Sequence, residues 1–352
     1  MIQRLVGSEM CIRDSIFPDG TSKQLTETGY VLEKHLFEQW IADSAVKEGA
    51  KLALKHKLTS IERIEDNGTF VGWKCDGKGE MFPIKSKIVI DASGVAAVCS
   101  KFVKPDGVKP LNEKGKVVAG MQYELADVPT DGYLDFYIWP KYAEKGYLWM
   151  IPKCDGRANV GLVTEDRPRA KKALDQFIED THFNDLSQQL PPWKTKGNPA
   201  FGGTIPISGP FENTHYDGLM LIGDAAGFTS PLFEGGSHLA LKSAVFAAET
   251  AVSAVSNGDV TAKSLEKYTM LWKAEFPPYE KILRGKNALF KLSDGEMSLM
   301  GSCFPDEMGD MGITGKAMVG LRLLFRRPDL YLKNIVPAML AFGYSRAKYY
   351  GW

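Results

Sequence analysis

Cysteine is scarce in this sequence, and the spacings that bind metals or clusters do not occur. Its five cysteines are odd in number and widely separated: Cys11, Cys75, Cys99, Cys154 and Cys303. Because there is no CxxC or CxxxC pair, we expect neither a structural zinc nor an iron–sulfur cluster, and predict no metal site. Scattered cysteines are typical of a reducing compartment, so we expect a cytoplasmic protein.

Charge of one sign and long apolar runs are also missing. Lysine plus arginine and aspartate plus glutamate both total 43, so nucleic acid is not expected as a partner. No run of about 18 apolar residues occurs, so we predict no membrane-spanning helix. No Ser/His/Asp triad or internal repeat is present. The remaining composition is that of an ordinary globular protein, 44% hydrophobic and 24% charged over 352 residues.

One stretch carries the strongest functional pattern. Leu219–Ile222 is apolar and predicts a short buried strand. The turn that follows sets one carboxylate among small residues: Gly223, Asp224, Ala225, Ala226 and Gly227. The chain then passes into a helix, predicted to end near Val255, through Pro231, Gly235, Gly236 and Ser237. A strand, an acidic turn and a helix N-terminus bring N–H groups and one carboxylate against a large polar cofactor.

The rest of the chain predicts a mixed α/β (α+β) fold. Before the central stretch, the patterns predict a helix over Gly29–Gly49. Strands are then predicted at Lys51–Leu58, Ser60–Glu65, Thr69–Cys75 and Ser86–Ile90. An aromatic-rich section predicts an antiparallel sheet with strands at Met121–Leu125, Leu134–Trp139, Tyr147–Ile151 and Ala158–Leu162. The other predicted elements are a helix near Arg169–Thr181, a strand at Gly202–Pro206, and helices at Ser264–Phe276, Pro278–Phe290 and Lys316–Phe325.

The first fifteen residues, Met1–Ser15, have no sustained hydrophobic period and are too polar for a signal peptide. The string GSEMCIRDS resembles a translated sequencing adapter. We therefore expect this segment to be foreign or disordered; the alternative is an ordinary natural N-terminus.

Several motifs occur in one order along the chain. They are Val31–Glu38 (VLEKHLFE), Ile88–Gly94 (IVIDASG), Gly146–Lys153 (GYLWMIPK), Ala158–Leu162 (ANVGL) and Gly223–Gly227 (GDAAG). Together they resemble the geranylgeranyl reductase family of FAD-dependent oxidoreductases, within the p-hydroxybenzoate hydroxylase-like fold. The resemblance spans about Gly29 to Phe276, and Gly235–Ser243 is also similar to electron-transfer-flavoprotein:quinone oxidoreductases.

The resemblance implies an FAD-dependent enzyme that reduces carbon–carbon double bonds of an isoprenoid or other lipid-like substrate. It implies a discontinuous, Rossmann-like FAD-binding domain over 16–110 and 204–260, an antiparallel-sheet substrate domain over 111–203 and a helical C-terminal region over 261–352. The implied electron donor is NAD(P)H, ferredoxin or a flavoprotein. The alternatives are a quinone-reducing dehydrogenase, an aromatic hydroxylase on the same fold, and a fragment that binds no cofactor.

Two departures from the family pattern affect the cofactor site. No GxGxxG occurs, so we expect the chain to lack the first βαβ unit, which holds the FAD pyrophosphate in the family. Glu234 stands where the family usually has glycine, and Gly235 stands where it often has glutamate. We therefore expect the backbone path beside the flavin to differ locally.

The resemblance assigns roles to cofactor-side residues, each with a simpler structural alternative. Asp224 would accept hydrogen bonds from the ribityl chain, or else cap a turn. The helix start at Gly235, Gly236 and Ser237 would face the pyrimidine edge and stabilise negative charge there, or else form an ordinary glycine-rich loop. Lys34 replaces the family's arginine and would lie near the phosphates or flavin, or else be a solvated helix lysine.

A second turn contributes further candidates. Asp91, Ala92 and Gly94 would let the backbone approach the cofactor, or else form a tight turn without a ligand. His238 is a candidate proton donor, although a helix histidine bonded to a neighbouring backbone group is the alternative. No other catalytic residue is assigned.

The aromatic sheet and the C-terminal tail carry the substrate-side expectations. Tyr147 and Trp149 share one face of a strand, and by resemblance they line the substrate cavity together with Pro152; the alternative is a plain sheet core. In the tail, Leu321–Phe325 and Ile335–Tyr344 flank cationic residues. Such a segment can rest on a bilayer surface as a peripheral membrane contact, or else form a packed helix pair.

Overall fold

The computed structural model describes most of the chain: residues 6–10, 13–25, 29–103, 117–126, 128, 132–153, 156–181, 200–308 and 312–345. Fifteen strands are described: β1 Val6–Met10, β2 Arg13–Ile16, β3 Ser22–Leu25, β4 Gly29–Leu32, β5 Lys57–Asp66, β6 Thr69–Lys78, β7 Ile84–Ser86, β8 Val89–Asp91, β9 Val117–Leu125, β10 Leu134–Tyr137, β11 Tyr147–Pro152, β12 Ala158–Thr164, β13 Phe201–Pro206, β14 His215–Tyr216 and β15 Leu219–Leu221.

The longer described helices lie mostly in the second half of the chain: α1 Lys34–Lys47, α2 Ala170–Asp180, α3 Ser237–Asn257, α4 Ala262–Glu275, α5 Tyr279–Leu289, α6 Asp294–Ser302, α7 Ile313–Arg326 and, after two short helical segments at Pro328–Leu330 and Tyr331–Ile335, α8 Val336–Tyr344. Of these, α3 is long and apolar enough to cross a membrane by length and composition, a test that core helices of soluble proteins also pass. It holds no uninterrupted apolar run of about 18 residues, because it contains two charged residues, Lys242 and Glu249.

The chain divides into two compact units. The first takes the described residues within Met1–Ala50, Val118–Thr204 and Arg284–Ala341. Its seven-stranded sheet has the order β13-β9-β12-β11-β10-β2-β3, and the predicted antiparallel strands form its centre. One face of this sheet packs on α2, where Leu148, Leu162 and Tyr123 meet Leu174 and Phe177 in a buried core.

The second unit takes the described residues within Lys51–Val117, Ile205–Leu283 and Phe342–Trp352. It holds the antiparallel sheet β5-β6-β7 and a three-stranded sheet of order β14-β15-β8, in which β15 and β8 run parallel. All three residues of β15 are fully buried. The Tyr268 hydroxyl on α4 donates to the Leu221 carbonyl oxygen at 2.6 Å, so helix and strand are joined by a buried hydrogen bond.

The structure departs from the sequence expectations at the N-terminal end. Strands form at Val6–Met10 and Arg13–Ile16, where no folded element was expected, because β1 pairs with β4 and β2 pairs with β10. Gly29–Leu32, predicted as the start of a helix, is therefore a strand. Strand pairing joins β2 and β3 to the seven-stranded sheet. The described residues within 261–283 belong to the second unit, and those within 284–341 belong to the first. The domain bounds at 16–110, 111–203, 204–260 and 261–352 stay a prediction.

Candidate functional site

Two parallel strands end side by side in the second unit, and each runs into an acidic turn. β8 pairs with β15 so that Asp91 lies opposite Leu221. The Ile222 N–H donates to the Asp91 carbonyl oxygen at 3.0 Å, which continues the pairing to the end of both strands. Ligands of open α/β sheets bind at the carboxyl ends of their strands. The two turns predicted to approach a cofactor are therefore neighbours at such an edge.

The turn after β15 requires small residues for its own backbone. It is a single 3-10 turn, Gly223–Ala226, closed by Gly227. Gly223 and Gly227 have φ angles of 55° and 79°, in the left-handed region that favours glycine. A Cβ on Gly227 would lie 2.3 Å from the carbonyl oxygen of Gly209. Ala225 and Ala226 are fully buried, so larger side chains would not fit at those positions either.

Asp224 is the half-buried acid of this turn. The Thr229 hydroxyl donates to its Oδ1 atom at 2.9 Å. A Cβ on Gly236 would lie 3.2 Å from the same oxygen, closer than most real Cβ contacts. Gly236 therefore leaves a space beside the carboxylate that any other residue would fill. A carboxylate held in this way can accept hydrogen bonds from the hydroxyls of a polyol.

The loop from Pro231 to Gly236 leads from the acidic turn into α3. Pro231 is buried. The Ser230 N–H donates to the Gly235 carbonyl oxygen, and the Glu234 N–H donates to the Ser230 carbonyl oxygen, both at 3.0 Å. Glu234 has a φ of 52°, so a glutamate adopts the left-handed conformation that glycine favours.

The start of α3 is fixed to the acidic turn. Among the described residues, no side chain caps this helix N-terminus, and Gly236 precedes its first turn. Ser237 is exposed and His238 is half-buried. Further along, the Ser243 hydroxyl accepts from the Gly223 N–H at 3.1 Å and donates to a carbonyl of its own helix at 2.8 Å. The first N–H groups of α3 thus lie near Asp224, at an end that favours negative charge.

Asp91 is only 4% exposed, and its carboxylate is used inside its own turn. Its Oδ1 accepts from the Ser93 N–H at 2.9 Å and its Oδ2 accepts from the Cys99 N–H at 2.7 Å. Burial, with a contribution from Asp91, raises the pKa of the Cys99 thiol, which stays protonated. Ala92 is exposed, and a Cβ on Gly94 would meet no described atom within 4 Å. The open part of this turn is backbone, supported by Asp91 from within.

Lys34, the predicted phosphate or flavin contact, belongs to the first unit. Its side chain is 73% exposed and forms an ion pair with Glu38, one helical turn away, at 3.7 Å. Lys34 is therefore a solvated helix lysine in this structure, and its contact with the phosphates or flavin stays a prediction. Lys34 belongs to the first unit, whereas both acidic turns belong to the second.

Sequence reasoning gave no role to Glu33, which lies in a charge cluster at one end of the seven-stranded sheet. Lys153 donates to Glu33 Oε2 at 2.8 Å, and Arg157 donates to Oε1 at 2.7 Å. Arg157 also donates to Glu124 Oε1 at 2.8 Å. Burial favours the neutral acid, but the hydrogen bonds and charges of Lys153 and Arg157 outweigh it and lower the pKa of Glu33. We call Glu33, Glu124, Lys153 and Arg157 the charge cluster.

Tyr147 and Trp149 lie on one face of β11, as the strand period predicts. Their ring centroids are 5.8 Å apart, and Phe136 packs edge-on against Tyr147 at 5.2 Å. The Trp149 indole donates to Gln122 Oε1 at 3.3 Å and lies over Gly161, where a Cβ would be 2.5 Å from the ring. The opposite face of β11 is the one that packs on α2.

The two aromatic residues and Pro152 differ in how much surface they leave for a ligand. Tyr147 and Pro152 are buried, and Pro152 is the last residue of the strand. Trp149 is half-buried and keeps accessible surface. In the described part of the chain, no group of three or more His, Cys, Asp or Glu residues could hold a metal ion.

Comparison with known proteins gives consistent matches. The sequence model of the geranylgeranyl reductase catalytic domain matches residues 117–190. The digeranylgeranylglycerophospholipid reductase of Methanocaldococcus jannaschii is 32% identical over 336 residues, which is 92% of this chain and 82% of the relative. The protein of the same name from Methanosarcina acetivorans is 34% identical over 272 residues, 73% of this chain and 63% of the relative.

Solved structures match over similar lengths. A geranylgeranyl bacteriochlorophyll reductase-like protein from Thermoplasma acidophilum matches with a TM-score of 0.77 and 25% identity, covering 92% of this chain and 82% of that protein. A flavin-dependent brominase matches with a TM-score of 0.61 and 17% identity, covering 99% of this chain and 80% of that protein. At that identity the brominase shows a shared fold alone.

Proposed function

This chain belongs to the geranylgeranyl reductase family of oxidoreductases, and we propose that it reduces carbon–carbon double bonds in the isoprenoid chains of a lipid. The observation that carries the proposal is the long match to reductases named for a digeranylgeranyl glycerophospholipid. The family and its structural neighbours imply a flavin cofactor. We propose that the flavin is FAD, which would supply the hydride when bound.

The residues at the strand ends fit a flavin. Gly236 leaves room beside Asp224 Oδ1, so we propose that Asp224 accepts hydrogen bonds from the ribityl hydroxyls. The helix start at Gly235, Gly236 and Ser237 would face the pyrimidine edge, where a helix N-terminus stabilises negative charge by about 0.3–2 kcal/mol. The exposed backbone of Ala92–Gly94 would lie against another part of the cofactor.

The remaining requirements of the reaction are an apolar surface, a proton and electrons. We propose that Trp149 contacts the isoprenoid chain, where each Å² of buried apolar surface contributes about 25 cal/mol. His238, half-buried in the first turn of α3, is the candidate proton donor, and water is the alternative. NAD(P)H, ferredoxin or a flavoprotein supplies the electrons, and the enzyme acts in the cytoplasm at the membrane surface where its lipid substrate lies.

The test combines flavin binding with product analysis. The purified chain is mixed with FAD, separated from free cofactor and examined for flavin absorbance. It is then reduced under anaerobic conditions and incubated with a lipid that carries geranylgeranyl chains. We expect mass spectrometry to show two added hydrogens per reduced double bond. In a parallel incubation with air and an aromatic substrate, insertion of oxygen would support the hydroxylase instead, and anaerobic reduction of an added quinone with an unchanged lipid would support the quinone-reducing dehydrogenase.

A further inference from the structure

One helix of the first unit, α7, has an apolar stripe that faces solvent. Met318, Leu321 and Phe325 recur at helical spacing, and all three are exposed, Phe325 by 83%. Val319 and Leu323, on the other side of the same helix, are buried. The helix therefore has one apolar side in the core and a second one in water. We call Met318, Leu321 and Phe325 the exposed stripe.

The chain segment that carries the exposed stripe has mostly positive charges. Between residues 312 and 345 the sequence has five cations, Lys316, Arg322, Arg326, Arg327 and Lys333, and one acid, Asp329. That acid pairs with Arg327 at 2.8 Å, and Glu296 of α6 pairs with the same arginine at 2.7 Å. Lys316, Arg322 and Lys333 are exposed, and Leu332, next to Lys333, is 75% exposed. Apolar side chains with a cationic border are what a surface needs to enter the headgroup region of an anionic bilayer.

We propose that the exposed stripe of α7 docks the enzyme on the surface of an anionic lipid bilayer. Met318, Leu321 and Phe325 enter the boundary between headgroups and acyl chains, while Arg322 and Lys316 meet lipid phosphates. The proposal rests on the proposed function in one respect: a membrane lipid as substrate gives the enzyme a reason to dock there.

A second exposed apolar row, on α3, differs from the exposed stripe in the charges of its helix. On α3, Val245, Val252 and Val255 are exposed to a similar degree. The charged residues of that helix are one lysine, Lys242, and one glutamate, Glu249. The α3 row therefore lacks the cationic border of α7, and it offers a matched control for apolar exposure alone.

The experiment is flotation of the full chain with vesicles of phosphatidylcholine alone or with about one third phosphatidylglycerol. The stripe variant is Met318→Ser/Leu321→Ser/Phe325→Ser, and the control is Val245→Ser/Val252→Ser/Val255→Ser. We expect the wild type and the control to float with anionic vesicles, and the stripe variant to bind at least about tenfold more weakly. The variant Lys316→Gln/Arg322→Gln/Lys333→Gln should lose most of the difference between anionic and neutral vesicles.

Three outcomes would overturn the proposal, provided circular dichroism shows that each variant is folded. The first is that the stripe variant floats as well as the wild type. The second is that the wild type binds neutral and anionic vesicles equally. Alternatively, size-exclusion chromatography would show a wild-type dimer that the stripe variant converts to a monomer, with no vesicle binding, so that a second copy covers the stripe. Reduction of a detergent-solubilised lipid tests the reductase separately, since docking without reduction would contradict only the proposed function.

Discussion

The acidic turn after β15 and the charge cluster around Glu33 both hold acids in place, but by opposite means. Asp224 is held by Thr229, five residues away, and by a backbone that accepts only small residues. Glu33 is held by side chains far along the chain, with Arg157 at a separation of 124 residues. The turn therefore depends on left-handed glycines and close backbone packing, whereas the cluster depends on charged side chains from distant parts of the chain.

This difference has an energetic counterpart. In the turn, the damaging change is to add atoms, since Gly227 has no room for a Cβ. In the cluster, the damaging change is to remove a charge, since the Lys153 side chain is only 6% exposed and depends on its acids. The two regions should thus respond differently to substitution, ligand and pH.

The largest expected effect is in the charge cluster. Glu33→Ala removes the acid that both Lys153 and Arg157 contact, and breaking a buried ion pair costs about 3–5 kcal/mol of unfolding free energy. Glu62→Ala is the matched control, because its pair with Lys74, at 3.5 Å, is exposed and worth about 0.2–1 kcal/mol. Urea unfolding measures both. Equal losses would mean that the cluster is no more than a surface ion pair.

The acidic turn should show a smaller effect from an added methyl group. Gly227→Ala combines a left-handed φ with a Cβ only 2.3 Å from the Gly209 carbonyl oxygen, and we expect a loss of about 2–3 kcal/mol. Gly258→Ala has a similar φ of 72°, but its Cβ would meet no described atom within 4 Å. Its loss should be about 1 kcal/mol. If thermal unfolding ranks the two variants equally, the close contact at Gly227 is not important.

The two acids at the strand ends should separate stability from ligand binding. Asp91→Asn loses a charged acceptor for two backbone N–H groups, which should cost about 1–3 kcal/mol of stability. Asp224→Asn should change stability by less than about 0.5 kcal/mol but weaken FAD binding about tenfold, or about 1.4 kcal/mol. Thermal unfolding and flavin titration check the pair. The reverse pattern would make Asp224 the structural acid.

The smallest effect is the contribution of Glu33 to the pH dependence of stability. In the folded protein, the pKa of Glu33 lies below its ordinary value of 4.5. Its contribution to stability is therefore complete above about pH 4.5 and is lost as the pH falls through the lowered pKa. We expect the stability difference between the wild type and Glu33→Gln to be constant near neutral pH and to shrink in acid. A stability difference that grows as the pH falls would contradict the lowered pKa of Glu33.

Sequence patterns predicted the elements whose local residue pattern agrees with their place in the fold. The four central strands of the seven-stranded sheet and the GDAAG turn follow from period-two alternation and from residues that a left-handed backbone requires. Prediction was wrong at Arg13–Ile16, because that strand is formed by pairing with Leu134–Tyr137, more than a hundred residues away. No local pattern specifies such a partner.

The same limit explains the candidate site. Lys34 was singled out through a family motif, but the buried residue is its neighbour Glu33, whose partners Lys153 and Arg157 directly follow β11 and directly precede β12. A glutamate before a helix is ordinary in sequence, and only the fold brings Lys153 and Arg157 to it. Asp91 was assigned to the cofactor side through the motif Ile88–Gly94, and that motif did not show the two backbone N–H groups that its carboxylate binds.

Gly236 differs from the other glycines of the site, and this bears on how related sequences should vary. Its φ is −127°, a value that any residue can adopt. A Cβ here would lie 3.2 Å from the neighbouring Asp224 oxygen, so the carboxylate would have to shift slightly to admit it. An alanine at this position should therefore fit more easily when residue 224 is also replaced by a smaller one. Such paired substitution would mark a lineage that has given up the carboxylate, and with it the polyol contact.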